Sequence, residues 1–484
     1  MSKTKNESNT TMFNRFLKKY LVYVTALLAI IAFVYWFTYN PVKQFTASVP
    51  GMDSVPATDT SALEKVIIGE HFFSYAQEES TLKGKWLRFR GVNSDNIVTD
   101  KTKLISSFGT EGPKIVWSVD LGEGHSAPVI YNGKVYFMDY NEIKKRDELR
   151  CFLLESGTEL WKRSYDVHVK RNHGMSRTTP ALTEKYLVTM GPMGHVMCVN
   201  PANGDLLWSI DLVKEYNTVI PFWYTGQCPL IDNDIAIFAP GGSALLIGVD
   251  CETGKVVWET SNPDGLQMSH SSIIPMKLGN KNTYVYAAIG GIVGVSAEGN
   301  DVGKILWKDT EFVPNVVAPS PVVFNDGKVF MTAGYGAGSI LFKVNPENYQ
   351  IEVIQQFKPK EGLASEQQTP VVINDRIYGI LPKDAGSLRN QMVCYSVNDM
   401  QTPIWTSGKE ARFGLGPYIF ADGKFFIVDD DGSLTIATIS ETGFNVLDKY
   451  RVIEGHDAWG PIAIADGYLI MRDSKKMVCL NMRK

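Results

Sequence analysis

Histidine, arginine, carboxylate and tryptophan side chains gather at one recurring place in this chain, the few positions ahead of a regularly spaced proline. His125 and Ser126 precede Pro128, Arg177 and Thr178 precede Pro180, and Gln227 precedes Pro229. His270, Ser271 and Ser272 precede Pro275, and Ser320 precedes Pro321. Glu366, Gln367 and Gln368 precede Pro370, Arg412 precedes Pro417, and Asp457 and Trp459 precede Pro461. Brought together, Arg177, His125 and His270 could hold an anion through charge-assisted hydrogen bonds. Gln368 is counted with them as a binding residue. Glu366 or Asp457 could ligate Ca²⁺ or act as a general base, and Trp459 could stack on a planar ring. The competing reading is plain: polar groups at a channel mouth are often only solvated or bridged by water.

Other chemistry is scarce. There is no nucleophile–base motif, phosphate loop or metalloprotease helix in the sequence. Asp429-Asp430-Asp431-Gly432 has a calcium-like composition, but in FFIVDDDGSLTIA it falls between two strands and reads as a hairpin turn. Six cysteines show no C-x-x-C-H haem signature, no adjacent pair and no zinc-like spacing.

These residues can act together only if the fold converges them, and a repeat does this. One half of the repeat is a small polar cluster, a proline, an apolar run, a turn and a second strand: SAPVIYNGKVYFM from Ser126, SPVVFNDGKVFMT from Ser320, TPVVINDRIYGIL from Thr369. The other half is a strand, a turn with Gly, and a strand with Trp: CFLLESGTELWK from Cys151, CVNPANGDLLWS from Cys198, GVDCETGKVVWE from Gly248. The marker prolines, from Pro128 to Pro461, lie 44 to 52 residues apart. A period in the forties with four short strands per unit indicates a β-propeller, one unit per blade. The count is eight. After Pro461 the chain has room for only three strands, and the missing Trp-bearing strand, KIVWSVDLG from Lys114, stands alone before the first unit. It is expected to complete the last blade and close the ring.

Trp117, Trp161, Trp208, Trp258, Trp307 and Trp405 share one register in the outer strands and read as wedges between blades, with their N–H bonded across. Cys151, Cys198, Cys394 and Cys479 share another register, where other blades use Gly, and read as small buried packing residues. The fifth and seventh units keep their strands and lose the Trp.

Ahead of the repeats, Leu21 to Phe37 is an apolar run without a charge. With its flanks it can span a bilayer of roughly 30 Å. Lys3, Lys5, Arg15, Lys18 and Lys19 precede it and only Lys43 follows closely. The positive-inside bias then puts the N-terminus in the cytoplasm and the rest outside. With no small-x-small site behind the run and no lipobox cysteine, an uncleaved anchor is favoured over a cleaved signal peptide. The expected organisation is a cytoplasmic tail over 1–20, an anchor helix over 21–39, a linker and lead-in over 40–110, and the propeller over 111–484. The apolar fraction of 44% suits a large core, and a net charge of −4 without a basic patch gives no basis for nucleic-acid binding.

The repeat, L-x-(A/C)-(L/V)-(D/N)-x-x-(T/N)-G-x-x-x-W, resembles that of the PQQ-like (pyrroloquinoline quinone) propeller family. That family includes quinoprotein alcohol dehydrogenases and the propeller lipoprotein of the outer-membrane β-barrel assembly machinery. WLRFRGVNSDNI, Trp86 to Ile97, resembles a W-x-x-F-R-G-x-N-x-D-G segment that precedes such propellers, departing only at Asn96. The resemblance covers about residues 86 to 484. It implies an all-β, eight-bladed PQQ-like propeller; with the apolar run read as one transmembrane helix, the expected location is the periplasmic side of the bacterial inner membrane. Two functions follow from it: a binding scaffold for envelope protein partners or a small molecule, or a PQQ- and calcium-dependent oxidoreductase of alcohols or sugars. The adjacent cysteine pair that many quinoprotein alcohol dehydrogenases carry beside the cofactor is missing here.

Overall fold

The computed structural model describes residues 4–39 and 66–484. They fall into two compact units, divided after Leu63. The first holds a helix, Thr4–Thr38, that begins well ahead of the apolar run. Its stretch Lys18–Thr38 has a mean hydropathy of 2.2 and is long and apolar enough to cross a membrane. The first part of the expected linker and lead-in, residues 40–65, lies outside the described residues.

The second unit is an eight-bladed propeller. Seven sheets have four antiparallel strands and one has six. Strand Lys114–Asp120 pairs with the C-terminal strand Lys476–Asn481, with Trp117 opposite Cys479, so the last blade is closed by both ends of the propeller sequence. The six-stranded blade is the first. His71–Ser74 adds outside its Trp strand and Lys85–Trp86 adds inside its innermost strand, both from the segment that reads as lead-in. Hydrophobic clusters lie between blades: one joins Val188 and Cys198 of blade 2 to Phe238 and Val249 of blade 3. Burying both faces of each twisted sheet in this way is what makes the ring necessary.

The Trp register has a consistent partner. Trp161 faces Cys151, Trp208 faces Cys198, Trp258 faces Gly248, Trp307 faces Gly294 and Trp405 faces Cys394. A Cβ added at Gly248 would stand 2.2 Å from the Trp258 ring, so a small partner is a steric requirement. The turn glycine of the next blade completes the slot. At Gly157 and Gly254, both with positive φ, an added Cβ would reach within 2.5 Å of Trp117 and 2.6 Å of Trp208. The expected N–H bond to the next blade forms from Trp117 to the Leu154 carbonyl (2.8 Å), Trp208 to Cys251 (2.8 Å) and Trp405 to Ser440 (3.3 Å). It does not form at Trp161 and Trp307, whose buried Nε1 atoms have no partner among the described residues. There the wedge works by shape alone.

The polar residue just before the marker proline also has a structural task. The Thr179 N–H donates to Cys228 Sγ at 3.2 Å, Cys228 N–H to Ser272 Oγ at 3.1 Å, Ser272 N–H to Ser320 Oγ at 3.2 Å, and Ser320 N–H to Thr369 Oγ1 at 2.8 Å. This belt runs around the channel from blade 2 to blade 6. It stops where the position becomes Gly416, Gly460 and Ala127. At Gly416 a Cβ would lie 1.6 Å from the Val428 carbonyl oxygen, so no side chain fits. Between the last and first blades the fully buried Arg472 takes over, donating to the carbonyls of Asp473, Ser474, Gly122 and Ser126 at 3.0 to 3.4 Å.

The segment from Lys85 to Val98 crosses the channel. Trp86 pairs with Ile130 of blade 1, the Leu87 carbonyl accepts from Leu182 of blade 2, Arg90 donates to the Pro370 carbonyl of blade 6, and Ile97 bridges Phe420 of blade 7. The W-x-x-F-R-G residues are thus a plug, with the Arg90 guanidinium buried inside it.

Candidate functional site: a cup at the channel mouth

The cup is built from the segments that lead into the innermost strands. Gly124 and Ser176 form a parallel bridge, and the His125 N–H donates to the Ser176 carbonyl at 2.7 Å. That contact sets His125 and Arg177 side by side. Further round, His270 precedes strand Ile274–Leu278, Glu366 and Gln368 precede Val371–Ile373, and Trp459 precedes Ala463–Ala465. Gln368 Nε2 donates to the carbonyls of Leu415 (3.1 Å) and Trp459 (3.4 Å), tying three blades together at the rim.

The result is a cavity of about 260 Å³. Its lining includes His125, Arg177, His270, Glu366, Gln368 and Trp459, six of the seven residues singled out from the sequence. Asp457 is not in the lining: it is exposed, and its carboxylate pairs with the neighbouring His456 at 3.0 Å. Arg412 is likewise elsewhere, bonded to the carbonyls of Arg389 and Ser387. The Asp429–Gly432 tetrapeptide is a turn between Lys424–Val428 and Ser433–Ile439, and its carboxylates accept the N–H groups of Gly414 and Leu415.

Two aromatic pairs form the walls. The His125 ring stacks on Trp459 at 3.4 Å, and the Arg177 guanidinium lies 5.7 Å from the same indole. Trp223 stacks on Tyr335 at 5.8 Å with 17° between the planes. Phe89, from the plug, also lines the cavity. Trp223, Tyr335 and Phe89 are not among the residues chosen from the sequence. For Trp223 the signal was present, because it stands outside the docking register just as Trp459 does. Tyr335 sits in a turn with φ of 57°, and Phe89 in a segment without a repeat, so neither carries a periodic mark.

The electrostatics of the cup are lopsided. Burial, with Arg472 and Arg177 nearby, pushes His125 well below its ordinary pKa, and burial followed by Arg177 takes His270 down to about 4. Both imidazoles are therefore neutral near pH 7, and only Arg177 of the expected anion-binding trio carries charge. Burial lowers Arg177 as well, to about 10, which leaves it protonated. Glu366 is buried, with one carboxylate oxygen 3.3 Å from Lys383 Nζ and the other without a partner among the described residues.

This lining does not fit a calcium-held quinone. Calcium takes 6–8 oxygen ligands, usually with more than one carboxylate. The cavity offers one carboxylate, already facing a lysine, beside two neutral amides. A polycarboxylate ring would also meet a single arginine, Arg177, in the lining among the described residues.

Solved structures share the fold. BamB from Moraxella catarrhalis aligns over 76% of this chain and 99% of its own, with a TM-score of 0.51 at 12% identity. A europium-containing methanol dehydrogenase aligns over 82% of this chain and 89% of its own, with a TM-score of 0.55 at 11% identity. A quinohemoprotein alcohol dehydrogenase from Pseudomonas putida gives 0.55 at 13% identity over 82% of this chain and 80% of its own. Likenesses at such identity speak to the fold. In sequence, outer membrane protein assembly factor BamB of Alteromonas naphthalenivorans is 30% identical over 112 residues, a match spanning 21% of this chain and 26% of that relative. The family model described as outer membrane protein assembly factor BamB matches residues 145–401, more than half of the sequence, and the chain belongs to that family of PQQ-repeat propellers.

Proposed function

We propose that this chain is a membrane-tethered, extracytoplasmic propeller that works as a binding module in the bacterial envelope, on the assembly of outer-membrane proteins. The observation that carries the reading is the cup's chemistry. It is an aromatic concavity with neutral imidazoles and a carboxylate engaged by Lys383, suited to holding a ligand and poorly suited to moving a proton or holding a metal. Family membership points the same way. The apolar helix supports a tether, and the basic residues ahead of it support an inner-membrane anchor with the N-terminus in the cytoplasm and the propeller in the periplasm.

The test is depletion of the chain in its native host. The expected outcome is a fall in folded outer-membrane β-barrel proteins, measured by heat-modifiable mobility in membrane extracts, that full-length chain restores. Unchanged barrels, together with loss of a dye-linked alcohol or sugar dehydrogenase activity from the membranes, would instead establish the oxidoreductase.

A further inference from the structure

Arg177 presents an unresolved charge. Its side chain is partly buried, and its Nε is fully buried with no acceptor among the described residues. Its Nη2 donates to two neutral carbonyls, those of Asn172 and His173. The acids within electrostatic reach are committed elsewhere. Glu123 is 2.6 Å from Arg171 and also accepts the Gly174 N–H, and Glu366 faces Lys383. Buried cations are ordinarily paired, and an unpaired one is costly. The Trp459 face offers partial compensation through its π-cloud, no more. Around this charge the walls are flat and apolar: Trp459 on one side, the Trp223–Tyr335 stack on another, Phe89 from the plug.

We propose that the cup is a binding site for a single carboxylate carried on a planar or aromatic apolar body, with the carboxylate on Arg177 and the body between the aromatic walls. The ligand's charge is set by Arg177, the arginine of the lining that no carboxylate faces among the described residues. Its size is set by the cavity, about 260 Å³, which holds one aromatic group with its carboxylate. A guanidinium selects a carboxylate over its amide because the anion forms charge-assisted hydrogen bonds where the amide forms ordinary ones. The same end group is found on a free aromatic acid and on a polypeptide ending in an aromatic residue. The inference rests on the cup being a binding site, as in the reading above, and does not depend on which envelope process it serves.

The experiment is calorimetric titration of the full chain in detergent micelles with four probes, each corrected against empty micelles. The probes are 3-phenylpropionate, its amide, a tetrapeptide ending in Phe with a free carboxyl terminus, and the same peptide amidated. The expected result is saturation at one site per chain by an acid, with the matching amide at least about tenfold weaker, equivalent to about 1.4 kcal/mol. In Arg177→Gln the difference between acid and amide disappears, while Trp223→Ala weakens acid and amide together. Binding by both acids identifies a small free acid as sufficient; binding by the peptide alone identifies a polypeptide terminus. Acid and amide binding equally, a preference that survives in Arg177→Gln, or no saturation by any probe would overturn the proposal. Thermal melting of Arg177→Gln and Arg177→Lys separates lost binding from lost folding, since the lysine variant keeps a cation and retains part of the preference. Failure of this titration leaves the depletion result standing, and the reverse holds equally.

Discussion

Six blades of the ring carry the docking Trp and two, the fifth and the seventh, do not. The two kinds solve one problem with different pairs. In the Trp blades the cross-strand partner is Cys or Gly. In blade 5 the same register pairs Gln355 with Leu341, and in blade 7 it pairs Asp448 with Ile436. The volume lost on the outer strand is regained on its neighbour. The forward hydrogen bond is regained too, with its polarity reversed. Gln355 accepts from the Met400 N–H of blade 6 at 3.4 Å, and Asp448 accepts from the Phe108 N–H at 2.7 Å and the Ser107 hydroxyl at 2.8 Å. What the repeat maintains is therefore a complementary pair, with a bond to the next element in blades 2, 5, 6, 7 and 8. Viewed one residue at a time, blades 5 and 7 look degraded; viewed as pairs, they are complete.

The largest expected effect comes from forcing one solution into the other's slot. Gln355→Trp places an indole against Leu341 and should cost about 1–3 kcal/mol through overpacking. Adding Leu341→Cys should recover most of that loss in thermal melts of the full chain. If the double variant melts no higher than the single one, volume exchange within the pair is not the rule.

A smaller effect separates Trp blades from each other. Trp208→Phe removes the donor to the buried Cys251 carbonyl, a hydrogen bond with a net worth of about 0.5–1.5 kcal/mol. Trp307→Phe removes an N–H that has no partner, so its loss should be the lesser of the two. Equal destabilisation of the two variants would show that shape alone docks every blade.

The smallest effect concerns pH. Hydrogen bonds from the Phe108 N–H and Ser107 hold the Asp448 carboxyl below its ordinary pKa of 3.8, so its contribution is present above that value and is lost as pH falls through the lower folded one. The Trp links have no titrating group. Amide exchange at Phe108, corrected for intrinsic rate, should rise below about pH 4 in the parent. In Asp448→Asn it should already be raised at neutral pH, with little further change on acidification. Exchange that rises at Asn200–Asp205 of the Trp-docked blades to the same degree would mean general acid loosening.

The ring itself was legible because its marks are periodic: prolines 44 to 52 residues apart, a Trp on the outer strand, an orphan strand at Lys114. The cup was legible in part for the same reason. His125, Arg177, His270, Glu366, Gln368 and Trp459 occupy repeat positions that the topology sends to one place. What stayed hidden has no period. Phe89 reaches the cavity because a non-repeating segment threads the ring, and the pairing of Glu366 with Lys383 joins residues whose proximity is set by a loop. Charge was hidden as well: the sequence gives two histidines beside an arginine, but only burial decides that they are neutral.

We propose that a fold shared with quinone dehydrogenases here encloses a ligand cup whose lining does not suit a calcium-held quinone. Titration of pyrroloquinoline quinone into the full chain in detergent, with and without Ca²⁺, tests it most directly. The expected result is no calcium-dependent saturation, with any weak binding indifferent to the metal and lost in Arg177→Gln. Calcium-dependent binding of one quinone per chain would contradict it and restore the oxidoreductase.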